Sequence, residues 1–181
     1  MPVNSDNARI YGSDLDMVYL APVGTPFPTD LAAPGSPWQA VGWLHTDGIT
    51  ETPTGSRTSI RGHQGNRVVR TRMEEPGTQI AFVALEDTPL TRGMRYDVKS
   101  STTTSGVRRE VRGAGQKITR WAAIIDKFDS DFEGVQDRDE IPRFEVAPDG
   151  DRVFVNNDIA AFPFLGEIVG DYENVSQGPE A

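Results

Sequence analysis

The chain has 181 residues and no cysteine, which excludes a disulfide framework and thiolate metal sites. Only 36% of its residues are hydrophobic, a low share for a compact monomer, and no apolar run approaches the ~18 residues of a membrane span. The net charge of −9 is uneven, because residues 126–181 hold 15 acids against four basic residues, whereas residues 52–73 hold five arginines and no acid. Such polarity matters most where copies of one chain meet head to tail.

The first half of the chain predicts short strands separated by turns. Residues 1–15 lack periodicity and predict a loose arm, which a short apolar strand follows at Met17–Ala21. A Pro/Gly-rich loop then leads to a strand-like stretch at residues 37–52. Residues 66–87, NRVVRTRMEEPGTQIAFVALED, predict two strands around a turn at Pro76-Gly77.

Between these strands lies the basic, Gly-rich segment PTGSRTSIRGHQGN, residues 53–66. It has almost nothing to bury and therefore predicts a long polar excursion. It contains no aromatic residue on which a base could stack, and the pI of about 4.7 argues against a dedicated DNA-binding protein.

The segment DTPLTRGMRYDV predicts a short helix. Asp87 or Thr88 can cap it, Pro89 suits the first turn, and Leu90 and Met94 fall on one face.

The second half predicts further strands. A hairpin is expected around Gly113–Gln116 and a second one in residues 141–158, with Pro-Asp-Gly at its turn. A last strand is expected in residues 159–173, and residues 174–181 read as a tail. About eight strands and one short flanking helix predict a mainly β protein, a two-sheet β-sandwich or barrel.

No constellation of residues predicts an enzyme. His45 and His63 are the only histidines and have no second histidine at ligand spacing. The chain also lacks the G-x-S-x-G and S-x-x-K signatures of serine nucleophiles. We therefore expect no catalytic residue, no cofactor and no metal.

One acidic segment deserves comparison with a calcium site. Residues 129–140 fit an EF-hand loop at positions 1, 3, 6, 9 and 12, but Glu133 stands where Asp or Asn is preferred. The flanking sequences read as strands, whereas the motif needs helices. A solvated acidic loop between two strands is the favoured interpretation, with Ca²⁺ binding as the alternative.

The ordered set of signals resembles the major tail tube protein of long-tailed bacteriophages, in the form common in phages of actinobacteria. The resembling pieces, in chain order, are MVYLAPVGTPFPTD, GWLHTDGITET with its basic loop, VVRTRMEEPGTQIAFVALED, TPLTRGMRYDV, RWAAIIDKFD and IPRFEVAPDGDRVFVNNDIAAFPFLGEIVGDYE. They cover roughly residues 15–173. Many such proteins carry a C-terminal immunoglobulin-like domain, which we do not expect in this chain, and its helix is less apolar than is usual in the family.

The resemblance implies a structural virion protein with a tube domain at residues 16–173. Such subunits form hexameric rings that stack on a tape-measure protein and meet tail terminator and tip proteins. DNA passes through the lumen, which is expected to be net negative and to bind no phosphate specifically. Assembly is expected in the host bacterial cytoplasm, without membrane contact. The alternative is a virion or surface β-module that binds a glycan or receptor.

The resemblance also gives residues 53–66 a role, because the loop at this place reaches the neighbouring ring. We expect it to be flexible before stacking and to dock on an acidic surface of that ring, with residues 126–140 as the leading candidate. The candidate contact residues are Arg57, Arg61, His63, Arg67, Asp126, Asp129, Asp131, Glu133, Asp137, Asp139 and Glu140.

Overall fold

The computed structural model describes residues 8–178, which form ten strands and one helix. The fold is mainly β, as the sequence predicts. In chain order the elements are β1 (Met17–Ala21), β2 (Gln39–Ala40), β3 (Leu44–Arg61), β4 (Val68–Ala84), α1 (Pro89–Arg95), β5 (Val98–Thr104), β6 (Val107–Arg112), β7 (Thr119–Phe128), β8 (Gln136–Pro148), β9 (Phe162–Ile168) and β10 (Glu173–Gln177).

Eight strands form one antiparallel sheet, and β5 and β6 form a second, two-stranded sheet. The large sheet has the order β2-β1-β7-β8-β9-β4-β3. Strand β8 pairs with β7 along one side, while on its other side residues 136–140 pair with β10 and residues 144–148 pair with β9. This architecture agrees with the predicted β-sandwich class.

The core is built by alternating side chains of the large sheet. Strand β7 is buried on both faces, which explains its continuous apolar run WAAII. Ala123 and Ile125 join the main core, whereas Ala122 and Ile124 pack with Trp38 under the loop that follows β1. The main core also contains Val18, Leu20, Val41, Ile80, Phe82, Ala84, Leu90, Met94, Ile141, Phe144, Val146, Phe162, Phe164 and Ile168.

Helix α1 lies where the sequence predicts it. Thr88 is the N-cap, its hydroxyl accepts a hydrogen bond from the Thr91 backbone N–H, and Pro89 occupies the first turn. Leu90 and Met94 are buried against the sheet. All the sequence features that predict this helix lie within a few residues of it, and its packing against the sheet agrees with them.

The hairpin predicted around Gly113–Gln116 is wrong. Strand β6 pairs with β5 instead, and β7 pairs with β1 and β8. Ser105 and Gly106 both have positive φ, 51° and 79°, as a two-residue type I′ turn requires. This tight turn joins β5 to β6 directly, so β6 has a partner before β7 begins.

The turn predicted at Pro76-Gly77 is also wrong, because β4 runs through it without reversing. The pairing register with β3 shifts between Thr54 and Ser56, opposite this dipeptide, and Gly55 has a φ of 124°. A proline has no N–H to donate, and a bulge is one of the few strand positions that tolerate it.

Two further differences lie near the C-terminus. The second strand of the hairpin predicted in residues 141–158 is wrong, because the chain after β8 is irregular from residue 149 to residue 161. The next strand, β9, begins at Phe162 as part of the predicted last strand. Residues 174–177, expected in the tail, pair with β8 as part of β10.

Candidate assembly surfaces

The basic segment belongs to a long two-stranded ribbon. Strands β3 and β4 pair from Leu44↔Ala84 to Arg61↔Val68, but β9 pairs with β4 only along Gln79–Ala84. We call residues 53–78 the arm. At about 3.3 Å per residue, the arm extends roughly 30 Å past the part of the ribbon that the sheet supports. Residues 53–61 of the segment expected as a flexible loop are therefore extended, paired β structure, and residues 62–66 lie in the turn at the end of the ribbon.

The arm buries none of its residues, since each is exposed or half-buried. Four large apolar side chains are exposed on it, namely Ile60 (47%), Val68 (49%), Val69 (72%) and Met73 (53%). A two-stranded ribbon of this kind is marginally stable alone in water. The arm therefore has the character of a surface that gains stability from a partner.

The arginines of the arm point to the same conclusion. Arg72 lies 3.8 Å from Glu74, and it alone of the five comes within 4.0 Å of a carboxylate in residues 8–178. Arg61 donates a hydrogen bond to the Asn66 carbonyl at 3.0 Å. The predicted contact residues Arg57, Arg61, His63 and Arg67 are all exposed on the arm.

The predicted acidic partner is less accessible than its sequence indicates. Asp126 and Arg138 face each other across β7 and β8 and form a buried ion pair with an Nε–Oδ1 distance of 2.6 Å. Arg138 also donates to the carbonyls of Asp30, Leu31 and Ala32. This pair therefore anchors the loop after β1 to the sheet and is not free to meet another subunit.

The neighbouring acids Asp137 and Asp139 form a second ion-paired group with Lys127. The Lys127 ammonium lies 2.7 Å from buried Asp139 and 3.5 Å from half-buried Asp137. Burial lowers the pKa of Lys127, but the hydrogen bond to Asp139 and the charges of both acids outweigh it and raise the pKa overall. Asn174 of β10 donates to both carboxylates, so this group also fastens the C-terminal strand.

The remaining acids of the run divide into buried and exposed groups. Asp129 Oδ1 accepts hydrogen bonds from the backbone N–H groups of Asp131 and Phe132, and the residue is buried. Glu140 is buried opposite Glu173. Burial and, to a smaller extent, the charge of Glu173 raise the pKa of Glu140. The charge of Arg138 acts in the opposite direction without outweighing them. Only Asp131 and Glu133 of the predicted acidic run are fully exposed.

The same segment does not have the form of an EF-hand loop. Residues 136–140 belong to β8, and strands flank the segment on both sides. Within residues 8–178, no three His, Asp or Glu side chains are arranged so that they could hold a metal ion. In the same part of the chain, no helix is long and apolar enough to cross a membrane.

A cleft lies at the opposite end of the ribbon from the arm. Residues 12–14, 16–17, 42–46, 48 and 86 enclose a volume of about 540 Å³, which we call the Trp43 cleft. The Trp43 side chain is 70% exposed, although its backbone is fixed on both sides: its N–H donates to Glu86 Oε1 at 3.0 Å, and its carbonyl accepts from the Leu85 N–H at 2.8 Å.

The charge of the Trp43 cleft is negative. Its lining contains Asp14, Asp16 and Glu86 and no lysine or arginine. Asp16 accepts a hydrogen bond from the Phe128 N–H at 2.7 Å, which ties the cleft wall to β7. No sequence signal indicated this cleft, because its walls come from segments that are some 25 and 70 residues apart along the chain.

The arm and the Trp43 cleft therefore suit a protein that binds other copies of itself or other proteins. A comparison with known families identifies the kind of protein. The family described as "Phage tail tube protein" matches residues 1–171 of the 181. The chain belongs to the phage tail tube protein family. No curated protein matches the chain. The prediction of a phage tail tube protein is thus confirmed, and this tail tube protein is a structural component of the virion.

Proposed function

We propose that this tail tube protein forms hexameric rings that stack into a hollow tube through which phage DNA is delivered. The observation that carries the proposal, beside the family, is the ribbon of β3 and β4. It leaves the outer edge of β3 without a strand partner in the described part of the chain and projects the arm into solvent. Open edges of this kind favour pairing with another chain.

Two kinds of contact between subunits follow from this arrangement. Lateral contacts close the ring by covering open sheet edges, and axial contacts stack the rings through the arm. The low hydrophobic share of 36% suits such a chain, because assembly buries surface that a monomer would leave exposed.

The partners follow from the same proposal. The tube assembles around a tape-measure protein in the host bacterial cytoplasm and ends at terminator and tip proteins. DNA passes without specific binding, because each retained Lys or Arg contact to phosphate would add salt-sensitive affinity. Tubes of the purified protein should therefore not retain duplex DNA at low salt.

Negative-stain microscopy at rising protein concentration tests the proposal. The expected result is rings at lower concentration and stacked tubes at higher concentration. Dispersed monomers under all conditions would refute it and would favour the alternative of a receptor- or glycan-binding module. In that alternative, exposed Trp43 would be a candidate aromatic platform.

A further inference from the structure

We infer that the tip of the arm, residues 60–69, inserts into the Trp43 cleft of a second copy of this chain in the adjacent ring. The inference rests on the proposed function and names the surface that receives the arm. Its acceptor differs from the acidic run at residues 126–140, which is expected from the sequence.

The acidic run is a poor acceptor because most of its acids are buried or paired inside the subunit, and only Asp131 and Glu133 are fully exposed. Asp126 and Asp139 are buried and paired with Arg138 and Lys127. Releasing Asp126 to meet an arginine of another ring would leave the buried Arg138 without its carboxylate, which is a large cost. Releasing Asp139 would leave half-buried Lys127 with Asp137 alone.

The geometry of the ribbon favours the Trp43 cleft. The cleft lies at Leu44, where β3 begins, and the tip lies just beyond Arg61, where β3 ends. At about 3.3 Å per residue the two surfaces are on the order of 50 Å apart along one ribbon. A contact between opposite ends of the same element is heterologous, so it propagates from ring to ring instead of closing on itself.

The chemistry of the two surfaces is complementary. The tip presents exposed Ile60, Val68 and Val69 together with Arg61 and Arg67. The cleft presents exposed Trp43 with Met17 and Leu44, and its lining carries the carboxylates of Asp14, Asp16 and Glu86 beside His45, without a lysine or arginine. An apolar anchor with surrounding opposite charges is the arrangement that gives protein interfaces both affinity and register.

The absence of cysteine makes a cross-linking test clean. Gln64→Cys labels the tip, Thr46→Cys labels the cleft, and Glu133→Cys labels the acidic run as a matched control. All three positions are exposed. Two single-cysteine variants are mixed in equal amounts, assembled, and treated with a short bismaleimide, and tube formation is checked separately by microscopy.

The tip and cleft variants should give abundant covalent dimers in tubes and few in dilute monomer, whereas the tip and acidic-run variants should give few in either. Tubes in which the tip links to Glu133→Cys, or to neither position, would overturn this inference and leave the proposed function standing. Failure of the unmodified chain to form any rings or tubes would refute the proposed function and the inference with it.

A second variant tests the energy of the contact. Trp43→Ala should raise the concentration needed for tube growth by about tenfold, and Trp43→Phe should raise it less, because a buried aromatic anchor contributes strongly to an interface. The melting temperature of the dilute subunit should hardly change, since the side chain is 70% exposed. Unchanged tube growth of Trp43→Ala would contradict the inference.

Discussion

At the scale of single residues, the tightest constraint in the core is at Gly166. This buried glycine of β9 lies against the Phe144 ring, and a Cβ at position 166 would overlap the ring atoms. The aromatic ring therefore uses the space that any other residue would fill. The sequence shows only a glycine within an apolar strand, so this role could not be predicted from it.

Gly166→Ala should destabilise the subunit by about 1–3 kcal/mol or more, because Phe144 and the two strands must move apart. Gly93→Ala is the matched control. Gly93 lies in helix α1 with open space around its Cβ position, so this change should stabilise by roughly 0.5–1 kcal/mol. Urea unfolding of both variants checks the prediction, and equal effects would contradict it.

Glu140 supplies a prediction about pH. Its folded-state pKa is raised above the ordinary value of 4.5 by burial and by Glu173. The folded state therefore binds more protons than the unfolded state between these two pKa values, so the contribution of Glu140 to stability falls as pH rises through this window. Above this window the ionised carboxylate faces the charge of Glu173 across β8 and β10, which opposes the pairing of the two strands.

Glu140→Gln should therefore raise the free energy of unfolding at pH 7, and its advantage over the unmodified chain should shrink as the pH falls through the window above 4.5 and be absent below 4.5. The exposed Glu133→Gln serves as a control that should change stability little at either pH. Chemical unfolding at several pH values measures both. A destabilised Glu140→Gln variant at pH 7 would show that the charge of Glu140 is needed.

At the scale of elements, local sequence features predicted local structure correctly but did not predict which strands pair with each other. Helix α1 was predictable because its cap, its proline and its apolar face lie within one short segment. The partner of β6 was not predictable, because the sequence RREVR could pair with either neighbouring strand. The tight turn at Ser105-Gly106 determines that β6 pairs with β5. The sequence shows how many acids residues 126–140 contain, but not which of them are buried in ion pairs. That depends on Lys127 and Arg138, which meet these acids across the pairing of β7 with β8.

The arm supplies the prediction at this scale. Residues 54–77 can be replaced by Asn-Gly, a two-residue turn that suits the antiparallel pair Pro53↔Thr78. The deleted residues include no buried side chain, so the subunit should fold with a nearly unchanged melting temperature. Ring stacking should be lost, because the variant lacks the axial contact.

Circular dichroism and thermal melting establish that the shortened subunit is folded, and microscopy follows assembly. Isolated rings without tubes would be the clearest agreement with separate lateral and axial contacts. Tubes of normal length would show that the arm is dispensable for stacking.

At the scale of the whole molecule, one chain carries complementary ends. The basic, partly apolar arm and the acidic Trp43 cleft lie at opposite ends of the β3–β4 ribbon. The order of sequence signals was enough to predict the family and the sandwich class. The acceptor surface was not predictable, because it forms only when distant segments come together.

The most direct test is a cryo-electron microscopy reconstruction of assemblies grown from the purified chain. The account predicts a hollow tube of stacked hexameric rings, with density for residues 54–77 crossing from each ring to the next. A compact assembly without a lumen, or a tube in which these residues fold back on their own ring, would contradict it.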